Sequence, residues 1–273
     1  MSVTDSTALA RRAHSIRRTV LEMCRGRGQG YAGQGLALAD LMACLYFDEL
    51  RPGRDRFVLS TGHSAIAVFA ALHELGLYEL EELRTYGMDG SRIEESPLEG
   101  TPGFEITGGS LGQGLSQACG LALGERFRGG DGRVYCLVSD GELQEGQIWE
   151  AAMFAGHHRL DNLVLLVDNN AMQADGATRD VMNVEPIPEK LRAFGFAAHR
   201  IDAHSITEIL TAFSDARATR GEPTALVCET LPGKGVPSLE RYNKVHYIRA
   251  TPDLWERALA ELDGGLRTSN SGT

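Results

Sequence analysis

Two polar clusters stand directly after short apolar runs, and their side chains are ones a hard cation would accept. RVYCLV (133–138) leads into Ser139, Asp140, Gly141 and Glu142; NLVLLVD (162–168) leads into Asn169, Asn170, Ala171 and Met172. Asp140 brings a carboxylate oxygen and Asn170 a carboxamide oxygen, and the main-chain carbonyl near Met172 can supply a third. Mg²⁺ takes oxygen ligands in octahedral geometry and shares substrate phosphates, so the missing ligands would be two phosphate oxygens and a water. Gly141 lets the backbone come close to a diphosphate. Either cluster alone is also what an ordinary turn carries. The pair, following two strands joined by one helix, is harder to dismiss.

Two further loops have the composition of ligand-contacting backbone. Ser60-Thr61-Gly62-His63 follows the apolar Phe57-Val58-Leu59, and His63 opens the next helix. Its imidazole can donate to a phosphate oxygen, supported by the helix N-terminus; a histidine at a helix start can equally be structural. Thr107-Gly108-Gly109-Ser110-Leu111-Gly112-Gln113-Gly114 also leads into a helical pattern.

Elements must bring these loops together. Four short apolar runs with β-branched residues, at 57–59, 133–138, 162–168 and 225–229, read as buried parallel strands. Helical patterns occupy 7–24, with Ile16, Val20 and Met23 on one face, and about 36–47, 64–75, 112–127, 147–159 and 205–219. This alternation predicts an α/β doubly wound, mainly parallel sheet with helices on both faces. Ligands bind such sheets beyond the carboxyl ends of the strands, which selects the loops after 59, 138, 168 and 229. Trp149 and Met153 read as core, and His157 and His158 as a polar helix end. One domain is expected over 1–265, with a flexible tail at 266–273.

Bulk properties narrow the function. The chain has 273 residues, 42% apolar and 23% charged, as in a globular protein. Its net charge of -10 argues against a nucleic-acid partner held by phosphate neutralisation. Five widely spaced cysteines form no C-x-x-C pair and read as reduced, buried thiols. No leader core and no bilayer-length apolar run is visible, so a cytoplasmic location without membrane contact is expected.

The stretch SDGELQEGQIWEAAMFAGHHRLDNLVLLVDNNAMQADG (139–176) resembles the thiamine-diphosphate motif of transketolases, which opens on Gly-Asp-Gly and ends at an Asn. The resemblance implies a thiamine-diphosphate-binding fold of the diphosphate type. It implies Asp140, Asn170 and the Met172 carbonyl as Mg²⁺ ligands, with Gly141 and Glu142 beside the cofactor. RFVLSTGHSAIAVFAALHELGLY (56–78) is similar to the family's phosphate-binding histidine segment and assigns His63. TPGFEITGGSLGQGLSQACGLALGERF (101–127) resembles the cofactor-contact loop and assigns Gly109, Ser110 and Leu111. PGKGV (232–236) and Val245-His246 resemble the segment carrying a second cofactor histidine. His63 and His246 are implied to orient phosphate and substrate or move protons; Glu145 is implied to link two cofactor sites, or is a solvated helix-start carboxylate.

The resemblance covers roughly residues 8–262 and stops at the first transketolase domain. It implies a partner: a second subunit carrying the pyrimidine-binding domain and the glutamate that activates the cofactor, in an α₂β₂ assembly acting on a small sugar. Three positions depart from the family. Ser139 replaces the first glycine of the motif, a minor change. Tyr31 and Ser96 stand where the family has substrate-side histidines, which leaves donor and acceptor open. The activity implied is transfer of a two-carbon ketol unit from a ketose to an aldehyde. One alternative passes that unit to a lipoyl or acyl-carrier thiol; another is a regulatory subunit that keeps the cofactor site only for assembly.

Overall fold

The structure, a computed structural model, describes residues 5–242 and 244–270, the last five of these by their backbone alone. Five parallel strands form the central sheet: β1 (Arg56–Leu59), β2 (Val134–Ser139), β3 (Leu163–Asn169), β4 (Ala197–Asp202) and β5 (Thr224–Glu229), in the order β1-β2-β3-β5-β4. Alternate side chains of each strand feed opposite cores. Tyr135, Leu137, Val164 and Leu166 join one core, and Val134, Cys136, Val138, Leu165 and Val167 the other. Both faces are apolar, so both need helices. On the first face lie α1 (Ser6–Arg27), α2 (Ala32–Ala37), α3 (Ala39–Cys44) and α4 (Ala65–Glu74); on the second lie α5 (Gly114–Phe127), α6 (Gly146–His157) and α7 (Ile187–Ala193). The doubly wound α/β architecture read from the sequence is therefore present. Helix α8 (Ile206–Ala218) packs with α3 and β4, and α9 (Pro252–Asn270) runs against α1. All five cysteines are buried and free.

Some elements differ from the sequence reading. Strand β4 had no apolar run to announce it. It is an edge strand with His199 and Arg200 exposed, so its burial pattern breaks. The expected helix at 36–47 starts four residues earlier and is divided into α2, α3 and a wide turn over Leu45–Glu49. Its glycines are helical because neighbours crowd them: a Cβ on Gly35 would lie 2.7 Å from Val20. Tertiary packing here overrides the low helix propensity of glycine. Met153 is 55% exposed and not core. The buried stripe of α6 is Ile148, Ala151, Ala152 and Ala155, which puts Met153 on the outer side. Trp149 is half-buried against the second core. The backbone of the expected tail is helical to Asn270, and 271–273 lie outside the described residues.

Register positions the site. Leu59 pairs with Leu137, Ser139 with Asp168, and Asn169 with Glu229, so the strands end together. Ser60, Asp140, Asn170 and Thr230 therefore emerge on one edge.

Candidate functional site

At that edge a cleft of about 300 Å³ is lined by His63, Leu111, Ser139, Gly141, Gln144, Glu145, Asn170, Met172 and His246, among others. Loops from β1, β2 and β3 and two distant segments thus converge. Asp140 forms the floor beneath them and is 1% exposed. Its Oδ1 accepts from Gly141 N at 2.8 Å and its Oδ2 from the Thr178 hydroxyl at 2.9 Å. Asn170 donates from Nδ2 to Asp168 at 2.8 Å, and its Oδ1 accepts from Met172 N at 3.0 Å. Between them Ala171 has φ +57, a left-handed conformation that costs an alanine about 1–2 kcal/mol and turns the chain sharply after Asn170.

Electrostatics single out this floor. Burial, and then the neighbouring Asp168 carboxylate, push Asp140 up to about 7. Asp168 is wholly buried and is also raised by burial. Among the described residues no Arg or Lys forms an ion pair with either. Two buried carboxylates without a counter-ion are costly, and a cation between the strand ends would relieve them. No three His, Cys, Asp or Glu side chains converge as a metal cluster among the described residues. A cation at Asp140 and Asn170 would thus have to complete its shell from backbone, ligand oxygens and water, as Mg²⁺ does. Among the described residues that line the cleft there is no Arg or Lys, and Lys244 stands in the adjoining hollow that shares Met172, Gln173, Ala174 and His246 with it.

The two histidines sit side by side, ring centroids 5.4 Å apart. Burial and His246 lower His63 to about 4, and burial lowers His246, so both are neutral at pH 7. Gln34 Nε2 lies 2.5 Å from His246 Nδ1. An amide N–H can only donate, so Nδ1 accepts and the ring proton is on Nε2. Gln34, buried and with an unpartnered Oε1, was not singled out in the sequence; nor was Thr178. No motif marks either: Gln34 comes from a segment remote in sequence, and Thr178 stands just past the 139–176 stretch that carries the resemblance.

Other expected residues take different positions. Glu142 does not line the cleft. Its buried carboxylate accepts from Gly112 N at 2.7 Å, from Ser139 N at 3.3 Å and from the Ser60 hydroxyl, tying three loops together. Leu111 reaches the cleft, whereas Gly109 and Ser110 are not among its lining residues. Gly109 adopts φ +113 and lies on Gly62, where an added Cβ would meet Gly109 N at 2.5 Å and Ser96 Oγ at 2.7 Å. Glu145 is exposed at the rim. Tyr31 packs against His63 at 5.6 Å and His246 at 5.7 Å, and edge-on against Tyr247 at 4.8 Å. Tyr247 donates to Glu95 at 2.7 Å. A separate hollow between β4 and α8 shares no residue with the cleft and gathers no comparable set of groups.

Residues 9–251 match the family described as transketolase, thiamine diphosphate binding domain. The chain belongs to the transketolase family. It is 46% identical over 269 residues to a transketolase family protein of Sinorhizobium fredii, covering 95% of this chain and 96% of that one. It is 39% identical over 264 residues to the 6-deoxy-6-sulfo-D-fructose transketolase subunit of a Clostridium strain, covering 93% and 96%. Transketolase from Campylobacter jejuni superposes with a TM-score of 0.87 at 29% identity, covering 95% of this chain but 43% of the longer one. Transketolases are ketol-transferring transferases, and this one matches subunit-length members end to end. No helix of the described residues is long and apolar enough to cross a membrane.

Proposed function

We propose that this transketolase is the diphosphate-binding subunit of a two-chain enzyme that moves a two-carbon ketol unit from a ketose to an aldehyde. The observation that carries the reading is the placement of Asp140 and Asn170 at adjacent strand ends, under a cleft holding two neutral histidines. Asp140, Asn170 and the Met172 carbonyl would hold Mg²⁺, and Gly141 and Leu111 would border thiamine diphosphate. When bound, that cofactor supplies the carbanion chemistry needed to break and form the carbon–carbon bond. Neutral His63 and His246 each offer one donor and one acceptor. They can therefore orient phosphate or substrate oxygens, and pass a proton without carrying a resting charge. The activating glutamate and pyrimidine pocket belong, on this reading, to a second subunit in an α₂β₂ assembly.

The substrate side supports a donor that differs from that of transketolases with histidines at these positions. Tyr31 presents a phenol, longer than imidazole and not protonatable to a cation, and Ser96 offers only a hydroxyl. The sulfosugar activity of the Clostridium relative makes sugars with an anionic end the first class to assay. The test is co-expression with the candidate partner subunit followed by titration with thiamine diphosphate and Mg²⁺. Saturable binding, with ketol transfer from a ketose to an aldehyde, is expected. Full activity of Asp140→Ala with its partner would sink the reading.

A further inference from the structure

Behind the cleft, a run of polar contacts, buried at Arg17–Asp40 and at Asp168–Asn170, leads from the first helix to Asn170. On α1, Arg17 donates from Nε to the Leu36 carbonyl and from Nη1 to Asp40 Oδ1, both at 3.1 Å, and from Nη2 to Asp40 Oδ2. Asp40, on α3, is 7% exposed. Its Oδ2 also lies 3.0 Å from His204 Nδ1, in the loop after β4. The other nitrogen of that ring, Nε2, accepts from Leu231 N at 2.8 Å. A backbone N–H can only donate, so the ring's single proton is on Nδ1 and points at Asp40. One residue earlier, the Thr230 hydroxyl donates to Asp168 Oδ1 at 2.5 Å. Asp168 Oδ2 accepts from Asn170 Nδ2.

The turn that leaves β5 is therefore gripped twice, at consecutive residues. His204 holds Leu231 from the helix side, and Asp168 holds Thr230 from the strand side. Asp168 needs Thr230 for another reason: with both oxygens engaged, its carboxylate has a single orientation, and that orientation decides which way the Asn170 carboxamide faces. Its nitrogen is directed to Asp168 and its oxygen away, toward Met172 N and the cleft. If the 230–231 turn shifted, Asp168 would lose a partner in a fully buried place and the amide could rotate.

We propose that His204 is a positioning residue for the cation site: by bridging Asp40 and Leu231 it fixes the turn whose Thr230, through Asp168, orients the Asn170 oxygen. This rests on Asn170 being a Mg²⁺ ligand. Partners one shell behind a metal ligand typically alter metal affinity about 10–100-fold when removed. The bridge requires one donor and one acceptor on the same side chain. Glutamine meets that requirement; alanine and arginine do not.

The experiment compares His204→Ala, His204→Gln, Thr230→Val and Thr230→Ser in the complex with the partner subunit. Mg²⁺ affinity is read by calorimetry with thiamine diphosphate present, and exchange of the Leu231 amide by hydrogen–deuterium exchange. His204→Ala is expected to speed that exchange and weaken Mg²⁺ at least about tenfold, with kcat retained at saturating Mg²⁺. Thr230→Val should weaken Mg²⁺ similarly, and His204→Gln and Thr230→Ser should restore wild-type values. Faster exchange with unchanged Mg²⁺ affinity would mean that His204 is only structural and would overturn the proposal. So would a glutamine variant no better than alanine. If His204→Ala does not fold, Thr230→Val decides, and unchanged Mg²⁺ affinity there overturns it. A wild-type complex that binds no Mg²⁺ overturns the reading of the cation site itself, a result distinct from all of these.

Discussion

On the proposed reading, Asp140 carries two demands that conflict until a cation arrives. It must be ionised to bind Mg²⁺, yet burial and Asp168 raise it from 3.8 to about 7. A carboxyl raised on folding contributes stability in its protonated form below pH 3.8, and that contribution is lost as pH rises toward about 7. Asp140→Asn, which is neutral throughout, should therefore gain thermal stability relative to the metal-free wild type as pH increases over this window. Thermal midpoints across that range check it, and a difference independent of pH would contradict the assignment. Asp140→Asn should also fail to bind Mg²⁺ with thiamine diphosphate. Tyr31 makes a different prediction. It touches both histidines but no carboxylate of the floor, so Tyr31→His should change kcat/KM between ketose donors while leaving cofactor affinity as it is. Steady-state kinetics on D-fructose 6-phosphate and its 6-sulfo analogue, with a cofactor titration, would separate the two; identical kinetic constants would remove the argument.

At the level of elements, the site depends on loops that touch through bare backbone. Gly62 lies on Gly109 so closely that a Cβ would meet the Gly109 nitrogen at 2.5 Å. Backbone cannot swing aside as a side-chain tip can. Gly62→Ala should displace the 107–112 loop, lower the thermal midpoint by an amount equivalent to about 1–3 kcal/mol, and weaken cofactor binding. Unchanged cofactor affinity, measured by titration of the reconstituted enzyme, would detach that loop from the site. The strands that end at the cleft were legible because each is an apolar run buried on both faces. Edge strand β4 was not, because half of its side chains meet solvent. The loop residues Asp140, Asn170 and His63 were legible as polar residues next to such strands. Gln34 and Thr178 had no such context: their roles come from contacts spanning 212 and 38 positions of sequence. Thr230 does follow a strand, but its partner Asp168 lies 62 positions away.

For the whole molecule, the telling comparison is that this chain covers 96% of the Clostridium transketolase subunit and 43% of the Campylobacter transketolase. On the proposed reading one wall of the cleft lies on this chain and the other on a second subunit. The chain alone should bind thiamine diphosphate weakly and turn nothing over, and mixing with the partner should yield an α₂β₂ particle with two active sites. Light scattering and activity of the mixture test this; turnover by the isolated chain would refute it.

Periodicity and short-range spacing were enough to determine the α/β class, the strands that end at the cleft, and the Asp140–Asn170 pair, because each depends on residues near one another in the chain. Resemblance added the cofactor. The tertiary structure decided which polar groups support that pair. It brought Thr178 onto Asp140, Gln34 onto His246 and Thr230 onto Asp168, and it turned Glu142 inward to tie the loops. It also left Asp140 and Asp168 buried, with no Arg or Lys ion-paired to either among the described residues. Burial and long-range contact fix pKa and orientation, and neither is written in local sequence. The Asp140 site could thus be found from its strand ends, but the burial of its carboxylate beside Asp168 became visible only in the folded chain.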